Sequence, residues 1–391
     1  MRLAMALTVV GWGANQFAPM LLAYRIERGL TEQLVTGLLA IYVGGLMPAL
    51  LLAAWWSQHH GKRPMVRIAM VLMLIASALL LAGADSPALL LAGRVVGGIG
   101  VGFIMGPGTA WMKELSAEQP HGTGARRASL ALTLGFAVGP IVSGVAAQWL
   151  PQPLHLPYVL HLVAQALAAA IVWNVAEADA GDHPTPSVRA VVDHLARAWF
   201  VKVVVPSAPW VFGAATVAFA VIPSVTGPLP GLPRIFAAGA TAGLTLGTSV
   251  LLQPFMKRLA TSHPDRVVAA GMAVVTVGMG LATAATLAPA WWWLPLVALV
   301  MGCAHGLVLV GSMTTVELNT PQHLMAPATA VVYCMTYIGF TAPFFVAVLA
   351  TVGPTWLVLA AGAGIALVTA AWLAAVSRAG VTAAAGPPAT R

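Results

Sequence analysis

Charge is scarce in this sequence. Asp, Glu, Lys and Arg make up 8% of its 391 residues, against roughly a quarter in a soluble domain. Hydrophobic residues make up 59%, so the composition excludes a water-soluble fold. Apolar runs of about 20 residues, enough to cross a bilayer as a helix, recur along the chain. Runs such as residues 71–82 are apolar on every side, which excludes the alternating pattern of a membrane barrel.

Cysteine and catalytic motifs are also nearly absent. The two cysteines, Cys303 and Cys334, lie inside predicted helices without metal-ligand spacing, so we expect buried thiols, no metal site and no cofactor. The sequence contains no GxxxxGK[ST], HExxH or nucleophile-elbow motif, which argues against an enzyme. The net charge of +8 is spread through short connections, so it indicates membrane topology rather than nucleic-acid binding.

The apolar runs predict twelve transmembrane helices. The spans lie near residues 3–23, 34–56, 65–83, 88–111, 129–150, 157–176, 203–223, 235–254, 267–288, 291–315, 325–350 and 355–376. The first run lacks the small-residue cleavage site of a signal peptide and is kept as a span. If the N-terminus is cytoplasmic, the cytoplasmic segments hold fifteen of the nineteen Lys and Arg residues. We therefore expect a multi-pass protein of the plasma (inner) membrane with both termini in the cytoplasm.

A polar stretch at residues 177–202 divides the chain. It predicts a cytoplasmic linker with a surface helix near 188–200, between six-helix halves at 1–176 and 203–378, followed by a disordered tail at 379–391. A shift of about 203 residues supports an internal repeat. It superposes Gly108, Glu114, Leu115 and Pro140 on Gly311, Glu317, Leu318 and Pro343. The predicted fold is an all-α membrane protein with two pseudo-symmetric halves, an architecture known in alternating-access transporters.

Three local motifs extend this interpretation. Arg94, Gly98 and Gly100 form RxxxGxG in the fourth span. Gly135, Gly139, Pro140 and Gly144 form GFAVGPIVSG in the fifth span. The connection between the second and third spans contains Gly61, Lys62 and Arg63 in HHGKRP. With these motifs the chain resembles the major facilitator superfamily, and the fifth-span motif resembles its drug/proton antiporter branches. The resemblance implies a monomeric transporter whose motif glycines and proline serve conformational change.

The connection between the second and third spans departs from the family pattern. Gln58 stands at the family's acidic position, and Ala54 replaces its leading glycine. The resemblance implies a cytoplasmic gate here, which a glutamine would build without an ion pair. The candidate gate residues are Gln58, Gly61, Lys62 and Arg63, with Glu114 and Glu317 as gate or helix-capping contacts at the ends of the fourth and tenth spans.

Arg94 is a charge placed inside a span, which is costly unless it faces protein or water. We expect it to face a central cavity and to respond to substrate or to protonation nearby; the alternative is snorkelling to the surface. None of the eleven acids lies in mid-span. Histidine is therefore the candidate proton carrier, as His305 or His161, with a neutral imidazole bonded to a carbonyl as the alternative.

Asn15 and Gln16 in the first span and Tyr337 in the eleventh complete the candidate substrate-binding set with Arg94 and His305. The expected function is secondary transport by alternating access, most specifically proton-coupled efflux of small amphipathic or drug-like compounds. Two alternatives stay open. One is a uniporter or importer of a small metabolite, and the other is a membrane sensor or assembly partner that does not transport. The expected partners are a small-molecule substrate, protons and the lipid bilayer.

Overall fold

The computed structural model of the protein describes residues 1–120, 123–177, 186–226 and 231–379. Within these ranges, ten helices are long and apolar enough to cross a membrane. The broken helix of residues 2–28 and the shorter apolar helix Leu156–Val172 supply two further crossings. The predicted fold is confirmed: twelve transmembrane helices form two six-helix halves.

The helices of the first half are α1 (Arg2–Asn15), α2 (Phe17–Arg28), α3 (Glu32–His60), α4 (Lys62–Ala82), α5 (Pro87–Glu114), α6 (Thr123–Trp149) and α7 (Leu156–Val172). The short helix α8 (Val188–Leu195) follows. The helices of the second half are α9 (Val205–Thr216), α10 (Ile222–Val225), α11 (Arg234–Ser262), α12 (Pro264–Leu287), α13 (Trp293–Asn319), α14 (Met325–Ile338), α15 (Ala342–Leu349) and α16 (Thr355–Arg378). We call the end of the bundle at which α3 ends and α4 begins the basic face, and the other end the opposite face.

Helix starts and stops follow local chemistry. Thr31 and Ser86 cap α3 and α5 by accepting hydrogen bonds from Leu34 N (3.3 Å) and Leu89 N (3.4 Å). Gly29 ends α2 with a φ of 65°, a left-handed conformation that glycine adopts at little cost. These short connections place consecutive helices antiparallel, so the chain crosses from face to face at each step.

Small residues set the packing within each half. In α5, a Cβ on Gly98 would lie 2.1 Å from the carbonyl oxygen of Tyr42 in α3. In α13, a Cβ on Gly302 would lie 2.2 Å from the carbonyl oxygen of Thr245 in α11. Close backbone approach of this kind drives helix association in lipid, where there is no hydrophobic force between apolar helices. The fourth and tenth crossings therefore occupy matching places in the two halves.

The first and eleventh crossings are broken near mid-membrane by proline. Pro19 and Pro343 lack the N–H that would bond the carbonyl oxygens of Asn15 and Gly339, four residues earlier. A turn at Gln16 consequently separates α1 from α2, and a 3₁₀ turn at Gly339–Thr341 separates α14 from α15. A π-helical turn at Phe200–Val204 begins the seventh crossing, and a second one at Val217–Val221 interrupts it.

The predicted surface helix appears as α8, shorter than expected. It begins at Val188, where Ser187 accepts a hydrogen bond from Ala190 N (3.2 Å). Leu195 and the following Trp199 pack beside Phe200 against α13 and α14, whereas Val188 is exposed. Residues 178–185 of the predicted linker, and all but Ala379 of the predicted tail, lie outside the described residues.

Candidate functional site

Arg94 is enclosed by protein inside the first half. It lies in the third turn of α5, about 11 Å along the helix from Pro87, and it is 2% exposed. Its Nε donates a hydrogen bond of 3.0 Å to the carbonyl oxygen of Leu38. Its Cζ lies 4.7 Å from the ring centroid of Phe17 and 4.4 Å from that of Tyr42. The cation therefore points towards neighbouring helices and is stabilised by two aromatic faces and a peptide dipole.

These contacts do not provide a partner for every hydrogen-bond donor of the Arg94 guanidinium. Its Nη2 is buried and has no hydrogen-bond partner among the described residues. The same holds for the hydroxyl of Tyr42 and the Oε1 of Gln16. Unpaired buried polar atoms cost free energy and call for an explanation. Arg94 contacts the ring of Tyr42 directly, so two of these unpaired groups belong to neighbouring side chains.

The break in the first crossing positions this group. Gln16 is the residue of the turn, and Phe17 is the first residue of α2, directly beyond it. Asn15 and Gln16 are both buried, and Asn15 ends α1. Their substrate-binding role stays a prediction. The break thus places the ring of Phe17 against Arg94, with two buried amides directly before it in the chain.

A chain of stacked rings connects Arg94 with the second half. Tyr42 contacts Phe340, with ring centroids 6.0 Å apart. Phe340 lies 4.7 Å from Phe212 and 5.4 Å from Tyr337, and Phe212 stacks on Tyr337 at 4.5 Å. Phe212 then meets the imidazole of His305 at 5.1 Å. We call the rings Tyr42, Phe340, Phe212 and Tyr337 the aromatic bridge.

The two candidate proton carriers differ in their surroundings. His305 Nδ1 lies 2.8 Å from the hydroxyl of Ser249, and its Nε2 has no partner among the described residues. In His161, Nδ1 lies 2.7 Å from Ser77 Oγ and Nε2 lies 3.0 Å from the carbonyl oxygen of Val9. The carbonyl places the proton of a neutral His161 on Nε2, so both of its nitrogens are engaged. His305 alone of this pair has a free nitrogen for a further proton.

The motif of α6 contacts two different neighbours. A Cβ on Gly135 would lie 2.0 Å from the carbonyl oxygen of Thr8, and one on Gly139 would lie 2.7 Å from the Cα of Trp12, both in α1. Pro140 and Gly144 instead pack against Gly239 of α11, in the other half. Gly135 and Gly139 therefore allow close packing of α6 on α1 within the first half. Pro140 and Gly144 allow close contact of α6 with α11 of the second half. In α5, Gly100 accommodates the side chain of Met73, as Gly98 accommodates α3.

The residues of the predicted gate form contacts within one half. Lys62 pairs with Glu114 at 2.6 Å, and Lys257 pairs with Glu317 at 2.6 Å, so the two acids keep matching partners in the two halves. Gln58 donates to the carbonyl oxygen of Ala54 in its own helix at 2.9 Å. Their role as a gate stays a proposal.

The start of the linker holds the connection between α3 and α4. Glu177 accepts hydrogen bonds from the backbone N–H groups of Lys62 and Arg63, next to Gly61 with its φ of 82°. Arg63 also donates to the carbonyl oxygen of Trp173 at 3.1 Å. A carboxylate on the first amides of α4 complements its dipole. The connection between α3 and α4 is thus held by an acid from the end of the first half rather than by a residue of α3.

At the opposite face the halves are joined by polar contacts. Arg25 donates to the hydroxyl of Ser224 at 2.9 Å and pairs with Glu32 at 3.5 Å. Gln33 donates to the carbonyl oxygen of Ala347 at 3.3 Å. The bundle is therefore closed above the aromatic bridge on this side, and substrate access from it requires these contacts to break.

Several of these residues were not predicted from the sequence. Tyr42, Phe212, Phe340 and Ser249 lie in apolar spans, where an aromatic ring or a hydroxyl ordinarily serves packing. Their only local signal was the prolines at 19 and 343, which indicate broken helices. Only the assembled bundle shows that these distant positions meet.

Comparison with known proteins identifies the family. The family model described as Major Facilitator Superfamily matches residues 3–343. The chain belongs to the major facilitator superfamily. It is a multi-pass membrane transporter of small-molecule substrates and not an enzyme. The search of curated proteins gives no match.

Solved structures of other members of this superfamily share the fold. A POT family transporter in complex with a thioalcohol-conjugated peptide has a TM-score of 0.77, with 12% identity and 96% of each chain covered. The nucleoside transporter NupG has a TM-score of 0.73, with 12% identity and 96% of this chain and 98% of that one covered. A D-xylose–proton symporter has a TM-score of 0.68, with 16% identity and 95% of each chain covered. At these identities the likeness concerns the fold alone.

Proposed function

We propose that this transporter is a proton-coupled exporter of small amphipathic compounds. The observation that carries the proposal is the buried guanidinium of Arg94, with Nη2 unpartnered, at one end of an aromatic bridge that joins the two halves. A mostly apolar site with a few converging polar groups is the usual design of a small-molecule pocket. Substrate would bind between Arg94 and His305 and contact both halves.

The two halves, bounded at residues 1–176 and 203–378, rock about this site in the proposed cycle. Opening towards the opposite face breaks the contacts of Arg25 with Ser224 and of Gln33 with Ala347. The glycine contact between α6 and α11 serves as the sliding surface, because glycines offer no side chains that interlock. The protein would work as a monomer in the plasma membrane with both termini in the cytoplasm.

His305 is the proposed proton carrier. Nε2 would take the proton, while Nδ1–H would donate to the hydroxyl of Ser249. The resulting imidazolium contacts Phe212 of the aromatic bridge, so its positive charge would act electrostatically on a substrate bound against this ring. His161, with both nitrogens engaged, keeps a structural role in this scheme.

A second candidate function is uptake or facilitated diffusion of a small metabolite. It is favoured by the lack of an acidic residue in mid-span and by Gln58 at the family's acidic position. The similar folds of NupG, described as a nucleoside transporter, and of a D-xylose–proton symporter are compatible with it. This candidate predicts substrate movement without proton release.

The test is a proton flux measurement in everted vesicles with a pH-sensitive dye. A panel of lipophilic compounds is added to wild type, Arg94→Ala, His305→Gln and the control His161→Gln. Proton release that His305→Gln lacks and His161→Gln keeps supports the exporter. Uptake of a labelled compound without a pH response supports facilitated diffusion as in the second candidate. Absence of any flux of the panel in wild type, with intact folding, rejects proton-coupled export of these compounds.

A further inference from the structure

The interior of the membrane bundle carries one unbalanced positive charge. All five ion pairs within the described residues lie towards the two faces or on α8, and Arg94 belongs to none of them. The eleven acids of the sequence all lie outside the middle of a span. Among the described residues, no carboxylate therefore pairs with Arg94.

An uncompensated charge at this depth is expensive. A guanidinium inside a membrane span costs a few kcal/mol or more unless it meets protein, water or a counter-ion. The carbonyl of Leu38 and the rings of Phe17 and Tyr42 offset part of that cost. The remaining unpaired Nη2 marks the direction from which a counter-charge would come.

The surroundings also select between ligand charges. A lipophilic cation would meet the positive charge of Arg94 and no carboxylate in the middle of a span. A planar carboxylate fits the free edge of a guanidinium, and the unpartnered hydroxyl of Tyr42, 1% exposed, offers a further donor on the ring that the guanidinium covers. A dianion would need a second cation, and Arg25 and Arg28 at the opposite face are already paired with Glu32 and Asp85.

We propose that Arg94 binds the carboxylate of an amphipathic monoanion, so that the substrates of this transporter are lipophilic organic acids. The guanidinium edge holds the carboxylate, Tyr42 donates a second hydrogen bond, and the aromatic bridge packs against the apolar body of the acid. This inference rests on the proposed transport function, because it names the substrate class of the same site.

The experiment compares ligands that differ only in the head group. Phenylpropionate, phenylpropionamide and phenylpropylamine are titrated against the purified full-length protein. Binding of each ligand is measured as the shift of the melting temperature of the protein. The phenylpropanesulfonate analogue, which cannot cross a bilayer as a neutral acid, is used for flux in proteoliposomes. The variants are Arg94→Gln, Arg94→Lys, Tyr42→Phe and the control Arg28→Gln, which lies at the opposite face.

We expect the two anions to bind, and the amine and the amide to bind at least about tenfold more weakly. Arg94→Gln should remove this preference, Arg94→Lys should weaken it, and Arg28→Gln should keep it. If Arg94→Gln does not fold, Tyr42→Phe still tests the site, because it should lower affinity for the carboxylate several-fold and leave the affinity for the amide unchanged.

Tighter binding of the amine than of the acid would overturn the proposal, as would equal binding of the acid to wild type and to folded Arg94→Gln or Tyr42→Phe. Two further outcomes distinguish failure of the anion site from failure of the proposed proton-coupled export. Proton-linked flux of the amine or amide would keep proton-coupled export and reject the anion site. Anion binding at Arg94 without proton-linked flux of the sulfonate would keep the site and reject proton coupling.

Discussion

The hydroxyl of Thr216 donates a hydrogen bond of 3.2 Å to the carbonyl oxygen of Gly339. Pro343 cannot give that carbonyl its α-helical partner, because proline has no N–H, and the backbone N–H of Ala342 binds it in the 3₁₀ turn instead. The hydroxyl of Thr216, in the seventh crossing, adds a second donor at this break in the eleventh crossing. Since Tyr337 lies just before the break and Phe340 lies within it, the same hydrogen bond helps to position half of the aromatic bridge.

Thr216→Val should destabilise the protein because it removes the side-chain hydrogen bond to the Gly339 carbonyl, which then keeps only the backbone N–H of Ala342. The expected loss is about 0.5–1.5 kcal/mol of unfolding free energy, the usual net contribution of one hydrogen bond. Thr216→Ser is the matched control, since it keeps the hydroxyl. Thermal unfolding in detergent measures both. Equal stability of wild type and Thr216→Val would show that the hydrogen bond has no net stabilising effect.

Gly135→Ala should disrupt the packing of α1 on α6. The added Cβ would lie 2.0 Å from the carbonyl oxygen of Thr8 and 2.8 Å from the backbone nitrogen of Trp12, and backbone atoms cannot rotate away. Overpacking of this kind costs about 1–3 kcal/mol. Gly280→Ala in α12 is the control, because nothing lies within 4 Å of its Cβ. It should stabilise the helix by up to about 1 kcal/mol.

The outcome for Gly135 and Gly280 is read as the melting temperature of the two variants against wild type. A drop for Gly135→Ala with no drop for Gly280→Ala supports the close contact. Similar melting temperatures for the two variants would contradict it.

Glu177→Gln should loosen the connection between α3 and α4. The carboxylate accepts the backbone N–H groups of Lys62 and Arg63, and a neutral amide binds these donors more weakly and lacks the favourable charge at the start of α4. The expected effect is about 0.5–2 kcal/mol, as for loss of a helix cap. Hydrogen exchange at the amides of residues 62 and 63 measures it.

Glu118→Gln is the control for this measurement, because it removes an exposed carboxylate near the same face. Faster exchange at residues 62 and 63 is expected in Glu177→Gln only. Unchanged exchange there would mean that the linker does not hold this connection.

How much of this protein can be predicted from its sequence depends on the kind of sequence signal. Twelve spans follow from apolar runs, because hydrocarbon thickness sets their length. The motif of α6 was recognised from spacing, and its glycines do lie at close helix contacts. Charge inside a span likewise singled out Arg94, since a buried cation is costly in any fold.

The partners of Arg94 could not be predicted in this way. Phe17, Tyr42 and Phe340 come from the first, second and eleventh crossings, and nothing in an apolar span distinguishes a ring at the site from one facing lipid. The contacts of the connection between α3 and α4 could not be predicted from the sequence either. Gln58 was identified as a departure, but the acid that holds this connection, Glu177, lies 119 positions further along, on the far side of four helices.

Acidification should release α8 from the bundle. Burial and the nearby cations Arg197 and His323 lower the pKa of His194 from 6.5, against a raising effect of the Asn319 backbone carbonyl. A histidine with a lowered pKa is neutral when docked, so its contact with Thr320 at 3.3 Å is stable above about pH 6.5 and weakens as the pH falls below that value. Hydrogen exchange of residues 188–200 between about pH 5 and 8 tests this.

His194→Gln is the control for α8, because an amide can bond Thr320 without titrating. In this variant the hydrogen-exchange rate of residues 188–200, corrected for the intrinsic effect of pH, should not change between about pH 5 and 8. A wild-type profile as flat as that of His194→Gln would reject the role of this histidine.

Gly239→Ala should open the opposite face. Its Cβ would lie 2.5 Å from the carbonyl oxygen of Pro140 in the other half, so the alanine forces α6 and α11 apart where the halves touch. Gly247→Ala, two turns further along α11, is the matched control, because its Cβ would meet only the Cβ of Ala137, at an ordinary 3.9 Å. The expected result is a shift of the conformational equilibrium towards the state in which Arg25 no longer reaches Ser224.

Accessibility of Ser224→Cys to a membrane-impermeant maleimide measures this shift, in a background where Cys303 and Cys334 are replaced by serine or alanine. Labelling should be several-fold faster with Gly239→Ala than with Gly247→Ala, since a change of about 1 kcal/mol in the equilibrium alters the open population about fivefold. Equal labelling rates in the two variants would show that the α6–α11 contact does not control closure and is not the sliding surface of the cycle.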